Sequence, residues 1–162
     1  MLEATANGRG GGTYGVTSDG DAVASMEFRG RLSETGAIVG GHGHLTIRRE
    51  GTTSGAWLLE RNDDGVGPQV VATAEKPSAM RSGFLLRMPG RPVLQLERPS
   101  AWKPVFNLTE ADRRVGTIRR VRGFRRQIQA DIHDDVPATL QLFALWTAVL
   151  LERRAQKTRA GV

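Results

Sequence analysis

The chain has 162 residues, no cysteine and a net charge of +6. That length suits one domain and can bury a core without covalent staples. The missing cysteines exclude disulfides and thiolate metal sites.

The charge is not evenly spread. Residues 1–100 hold 11 basic and 11 acidic side chains, whereas residues 101–162 hold 12 and 6, so the second segment carries the whole excess. Arginine outnumbers lysine 20 to 3. Gly and Ala are also abundant, which points to a genomic bias, so the position of the charge is informative and the choice of arginine is not.

Met1 to Thr13 has no apolar signal-peptide core, only the run Asn7-Gly-Arg-Gly-Gly-Gly12. It reads as a disordered Gly-rich lead-in over 1–13, and the default location is the cytoplasm. From Tyr14 onward, short β-prone stretches are broken by turn residues about every ten residues, the spacing of an all-β barrel or sandwich. Tyr14 to Thr17 and Ala22 to Arg29 are joined by Ser18-Asp-Gly20. Ala37 to Val39 and His44 to Arg49 flank Gly40-Gly41. Ala56 to Glu60 and Gln69 to Glu75 flank Asn62-Asp-Asp-Gly65. Gly83 to Met88 and Pro92 to Arg98 flank the turn pair Pro89-Gly90. Val105 to Leu108, Arg113 to Arg120 and Gln127 to Ile132 complete eleven strands. Several alternate as half-buried strands do: Ile128, Ala130 and Ile132 share one face, with Gln127, Gln129 and Asp131 on the other. One-sided burial fits antiparallel strands with water outside. No helix-length segment separates these strands, which excludes βαβ units.

The pattern changes at Asp134-Asp135-Val136-Pro137, where acids and a proline mark a helix start. Ala138 to Leu151 is apolar on nearly every face, interrupted only by Thr139, Gln141 and Thr147. Such a helix belongs in lipid or inside protein. Fourteen residues at about 1.5 Å each span about 21 Å, short of a bilayer core of about 30 Å. An enclosed helix is therefore preferred to a tail anchor, and amphipathic strands can supply its walls. The domain is expected over 14–154, followed by a frayed basic tail over 155–162.

Pro92 to Arg154 resembles the C-terminal part of the tubby-like superfamily, which includes the LURP-one-related proteins and the phospholipid scramblases. The resemblance is carried by Val105-Phe-Asn-Leu108, Val115-Gly-Thr-Ile-Arg-Arg120, Gln127-Ile-Gln-Ala-Asp131 and Val136-Pro137 leading into the apolar helix. It covers about 60 residues by motif, and the order of elements is its stronger part. It implies a mainly β fold: a closed antiparallel β-barrel of about twelve strands around a central apolar C-terminal α-helix. The superfamily is functionally diverse, so topology follows from the resemblance more firmly than function. Tubby proteins bind phosphoinositide headgroups, which implies an anionic lipid here.

Three constellations could carry chemistry. Arg113, Arg114, Arg119, Arg120, Arg122, Arg125 and Arg126 lie on two strands joined near Arg122-Gly123, and many of them are expected to gather at one barrel end. Guanidiniums bind phosphate bidentately, and a basic patch attracts anions. The alternatives are a solvated, salt-bridged hairpin and a nucleic-acid contact. The latter lacks a motif, and Phe124 is the one stacking aromatic nearby. His42 and His44 would share a strand face, but His133 is the only further histidine, so a glycine-rich turn is preferred to a metal site. The scramblase resemblance implies calcium at an acidic segment near Asp131, Asp134 and Asp135. These lack the alternating oxygen ligands of a calcium loop, and helix charge compensation is the better reading.

No G-x-S-x-G elbow, P-loop or dinucleotide fingerprint is present. Trp57, Trp102 and Trp146 read as core or barrel-mouth packing. The expectation is a non-enzymatic barrel without metal or cofactor that binds an anionic phospholipid surface or a protein partner through its basic hairpin, peripheral to the membrane. A structural or protein-interaction module and a small-ligand carrier remain open.

Overall fold

Alternating apolar strands joined by short turns close on themselves in the computed structural model. It describes residues 1–8, 10–29, 35–41, 43–51, 55–77, 83–121, 123 and 126–161. The strands are β1 (Leu2–Asn7), β2 (Thr13–Ser18), β3 (Asp21–Arg29), β4 (Thr35–Gly40), β5 (Gly43–Arg49) and β6 (Trp57–Asp63). They continue as β7 (Gly67–Glu75), β8 (Gly83–Arg87), β9 (Leu94–Glu97), β10 (Val105–Glu110), β11 (Arg113–Val121) and β12 (Gln127–Ile132). One helix, α1 (Ala138–Arg159), follows. Each strand pairs antiparallel with its sequence neighbours, and β1 pairs with β12 to complete a closed barrel of twelve strands. The barrel and its central apolar helix are as the strand rhythm and the apolar run predict.

The first strand corrects the reading of the N-terminus. Leu2–Asn7 is not a disordered lead-in: it inserts between β12 and β2, with Leu2 opposite Ala130 on one side and Ser18 on the other. Without it, β2 and β12 would each present a row of unpaired backbone groups. Ala4 faces the core at 0% exposure. Outside, the Glu3 carboxylate accepts hydrogen bonds from Gln127 Nε2 at 2.8 Å and Gln129 Nε2 at 2.7 Å. The glycine run is the β1–β2 connection, with Gly8 at φ 75° and Gly11 at φ 59°, backbone conformations that favour glycine.

All twelve strands send buried apolar side chains into one core that surrounds α1. Between Leu140 and Leu150 only Gln141 is not buried. Trp146 stacks on Phe28 of β3 at 5.0 Å between ring centroids, with the rings 7° from parallel. The indole fits because β4 carries Gly36 there. A Cβ at Gly36 would stand 3.0 Å from Trp146 Nε1 and 2.1 Å from the Glu27 carbonyl oxygen.

The helix starts at Ala138, just after Pro137, as expected, and differs from expectation at its C-terminal end. Its first turn holds no acidic residue. Gln141 Nε2 instead donates to the Val136 carbonyl at 2.8 Å, and the Asp135 carboxylate turns away to Arg113. At the other end the expected frayed tail over 155–162 is mostly helix, since α1 runs to Arg159. The extra turns are held because their charged side chains find partners on the barrel rim. Glu152 pairs with Arg98, Arg153 lies over the Phe28 ring at 4.8 Å, and Arg154 lies over the Trp57 ring at 5.0 Å. Among the described residues, no helix is long and apolar enough to cross a membrane.

Candidate anion-binding mouth

In a barrel whose neighbouring strands are all antiparallel, successive turns alternate between the two ends. The β12–α1 connection lies at one mouth, so α1 enters there and leaves at the other. The entry mouth carries the turns after β2, β4, β6, β8 and β10. The exit mouth carries those after β1, β3, β5, β7, β9 and β11.

This parity divides the predicted arginine cluster. Arg113 and Arg114 begin β11 at the entry mouth, whereas Arg120 nears its end at the exit mouth. Seven residues at about 3.3 Å put about 23 Å between Arg113 and Arg120, so the seven arginines do not form one patch. Arg113 Nη2 donates to Asp135 Oδ2 at 2.6 Å. That shared bond raises the Arg113 pKa and lowers that of Asp135, on side chains 56% and 50% exposed. Arg119 donates from Nη2 to Gln129 Oε1 at 3.1 Å on the outer wall. Arg122 and Arg125, together with Phe124 and His42, lie outside the described residues. Arg120 and Arg126 are the two predicted residues that the described structure brings to the exit rim.

The two mouths differ in charge. Exposed Asp19, Asp63, Asp64, Asp112, Asp134 and Asp135 stand around the entry, beside Arg91, Arg113, Arg114 and the Met1 ammonium, which pairs with Asp19 at 3.1 Å. Arg91 is committed there: its Nη2 donates to Glu110 at 2.9 Å and its Nη1 to the Asp135 carbonyl at 2.7 Å. The exit gathers Lys103, Arg120, Arg126, Arg153, Lys157 and Arg159. Glu27, Glu50, Glu75 and Glu97 lie toward the same end, Glu27 beside Arg29 and Glu75 beside Arg87, and Glu152 is taken up by Arg98.

Two hollows open among these cations. One, of about 340 Å³, is lined by Trp102, Pro104, Arg120, Val121, Gly123 and Arg159. The other, of about 300 Å³, is lined by Gly10, Arg126, Arg153, Gln156, Lys157 and Ala160. Above the second, Arg126 and Arg153 converge on Gly11. An added Cβ there would meet Arg126 Nη1 at 2.9 Å and Arg153 Nη1 at 3.8 Å. Arg153 also donates to the Gly11 carbonyl. Burial raises the pKa of Tyr14 nearby, while Arg153 and Arg126 pull it down. Guanidiniums brought this close repel one another, and an anion between them would relieve the repulsion.

Trp102 is the residue whose setting sequence reasoning misplaced. Trp57 and Trp146 are core, at 2% and 0% exposure, but Trp102 is 91% exposed. It projects from the β9–β10 turn at the exit mouth. A tryptophan between Pro99 and Pro104 is a loop residue, and that signal was available in the sequence. The helix-end cations Arg153, Lys157 and Arg159 were equally findable, since strand parity alone sends the end of α1 to the mouth of the β11–β12 turn. Of the other candidates, His44 is exposed on β5, and Asp131 and Asp134 are exposed without forming a cluster. Among the described residues, no group of three potential ligands is placed to hold a metal.

No family model, curated protein or solved structure matches the chain.

Proposed function

We propose that this protein is a non-enzymatic, tubby-like barrel that binds an anionic membrane surface with its exit mouth. The observation that carries the reading is the polarity of the barrel. Aspartates ring one end, while Lys103, Arg120, Arg126, Arg153, Lys157 and Arg159 crowd the other. A dipolar body of this kind is oriented by a negatively charged sheet before it touches it. Each Lys or Arg near such a surface contributes about 1 kcal/mol of attraction. The bore is filled by α1, which favours recognition at a mouth over a ligand held inside. The tubby-like resemblance of Pro92 to Arg154 points the same way, because lipid headgroups are what the tubby proteins of that superfamily bind.

Co-sedimentation with vesicles tests the reading. Binding is expected to vesicles containing phosphatidylserine, to weaken as salt screens the charges, and to be absent with phosphatidylcholine alone. Equal failure with both compositions at low salt would overturn it.

A further inference from the structure

We propose that Trp102 is the membrane-inserting residue of this mouth, held out by a turn that the central helix braces. This rests on the anionic-surface reading and adds to it a place, a depth and a rigid support.

A wholly exposed tryptophan is an unusual use of the largest apolar side chain. Most such rings are largely buried, as Trp57 and Trp146 are. The Trp102 ring has apolar area that water does not stabilise and one N–H donor, the combination found where membranes meet water. Its neighbours suit the same boundary. Lys103 follows it in the chain, and Arg120 and Arg159 line the hollow beside it. They would meet phosphates as the ring meets the upper acyl region.

The turn presenting it is not loose. Arg98, at the end of β9, shares its Nε–H between the carbonyls of Ser100, at 3.2 Å, and Lys103, at 3.1 Å. Those two residues bracket Trp102. The Trp102 amide donates to Ser100 Oγ at 3.3 Å, and the Lys103 amide to the Ser100 carbonyl at 3.3 Å. The other end of the Arg98 guanidinium pairs with Glu152 of α1 at 3.5 Å. One side chain thus ties the helix exit to both sides of the exposed ring. Holding the ring out before contact removes the ordering cost that a floppy loop would meet on binding.

The intact chain carries its own probe, because Trp102 is the one exposed tryptophan of three. Adding phosphatidylserine vesicles to the full chain is expected to shift its emission to the blue. Brominated acyl chains are expected to quench the shifted component, and Trp102→Phe to abolish both changes. Trp102→Ala, an exposed change that should leave the fold intact, is expected to weaken vesicle co-sedimentation about tenfold at physiological salt, as loss of buried ring area implies. If the chain co-sediments, but the emission does not move and Trp102→Ala binds as the parent does, the insertion is wrong and surface binding stands. If nothing co-sediments, both fail. If the emission shifts with a single-stranded oligonucleotide and not with vesicles, Trp102 is a base-stacking residue and the membrane proposal is overturned.

Discussion

Arg98 and Glu152 form a buried ion pair between the end of β9 and the central helix, with Nη1 and Oε1 3.5 Å apart and side chains 9% and 5% exposed. Glu152 Oε1 has no hydrogen bond, so the pair is held by charge and enclosure more than by donor–acceptor alignment. Arg98 also lies 5.7 Å over the Phe106 ring. A charge left alone in such a place is worse than no charge at all.

Removing one partner is therefore expected to be costly. Arg98→Met or Glu152→Leu should each lower unfolding free energy by about 3 kcal/mol or more, because each strands a buried charge. The double variant should be clearly less destabilised than the two singles summed. Urea midpoints of the four proteins check this, and strict additivity would show that the residues do not depend on each other.

The Trp146 seat gives a second expectation. Gly36→Ala puts a methyl group where Glu27 O and the indole already stand, so overpacking should lower stability by about 1–3 kcal/mol. Thermal unfolding reads it. An unchanged melting temperature would mean that β4 does not press on the indole.

Leu145 is 0% exposed at the centre of α1. Leu145→Asp should prevent recovery of folded chain, since a lone buried charge costs several kcal/mol. A Leu145→Asp protein with native circular dichroism and an unshifted melting temperature would contradict an enclosed helix.

The closing strand can be tested by deletion. Removing residues 1–7 exposes the edges of β2 and β12, and the truncated chain is expected to associate or lose its cooperative transition. Size-exclusion chromatography showing an unaltered monomer with the parent's stability would mean that Leu2–Asn7 is dispensable.

The Arg113–Asp135 pair predicts a pH dependence. The hydrogen bond from Arg113 holds the Asp135 carboxyl below its ordinary range. A group with a lowered folded pKa contributes stability above its unfolded pKa, about 3.9 for aspartate, and loses it as pH falls through the folded value. Asp135→Asn should therefore melt slightly below the parent at neutral pH, and the gap should close in acid as the pH falls through the lowered folded value. A gap unchanged at low pH would remove the pair as its cause.

Most of the fold was readable in the chain because its signals are local. Ile128, Ala130 and Ile132 alternate as a strand facing inward, and Leu140 to Leu150 is too apolar for any surface. The first strand was obscured because Ala4 and Ala6 give a weak alternation and the glycines beside them look like a disordered leader. Its order comes from distant partners, Gln127 and Gln129, which no local pattern announces. The site was less legible for the same reason. Arginines close in sequence suggested one patch, but β11 carries Arg113 and Arg120 to opposite mouths. The residues that do meet come from separate elements: Trp102 of one turn and Arg159 of the helix end line one hollow, and Arg126 of another turn lines the second with Arg153 and Lys157 of the helix.

The polarity of the barrel is tested most directly by neutralising each mouth separately. Lys103→Gln, Arg126→Gln and Arg159→Gln combined should reduce affinity for phosphatidylserine vesicles by about a hundredfold, at about 1 kcal/mol for each cation. Arg113→Gln with Arg114→Gln, about 23 Å away along β11, should bind as the parent does. Equal losses from the two sets, or a loss confined to Arg113 and Arg114, would contradict binding through the helix-exit mouth.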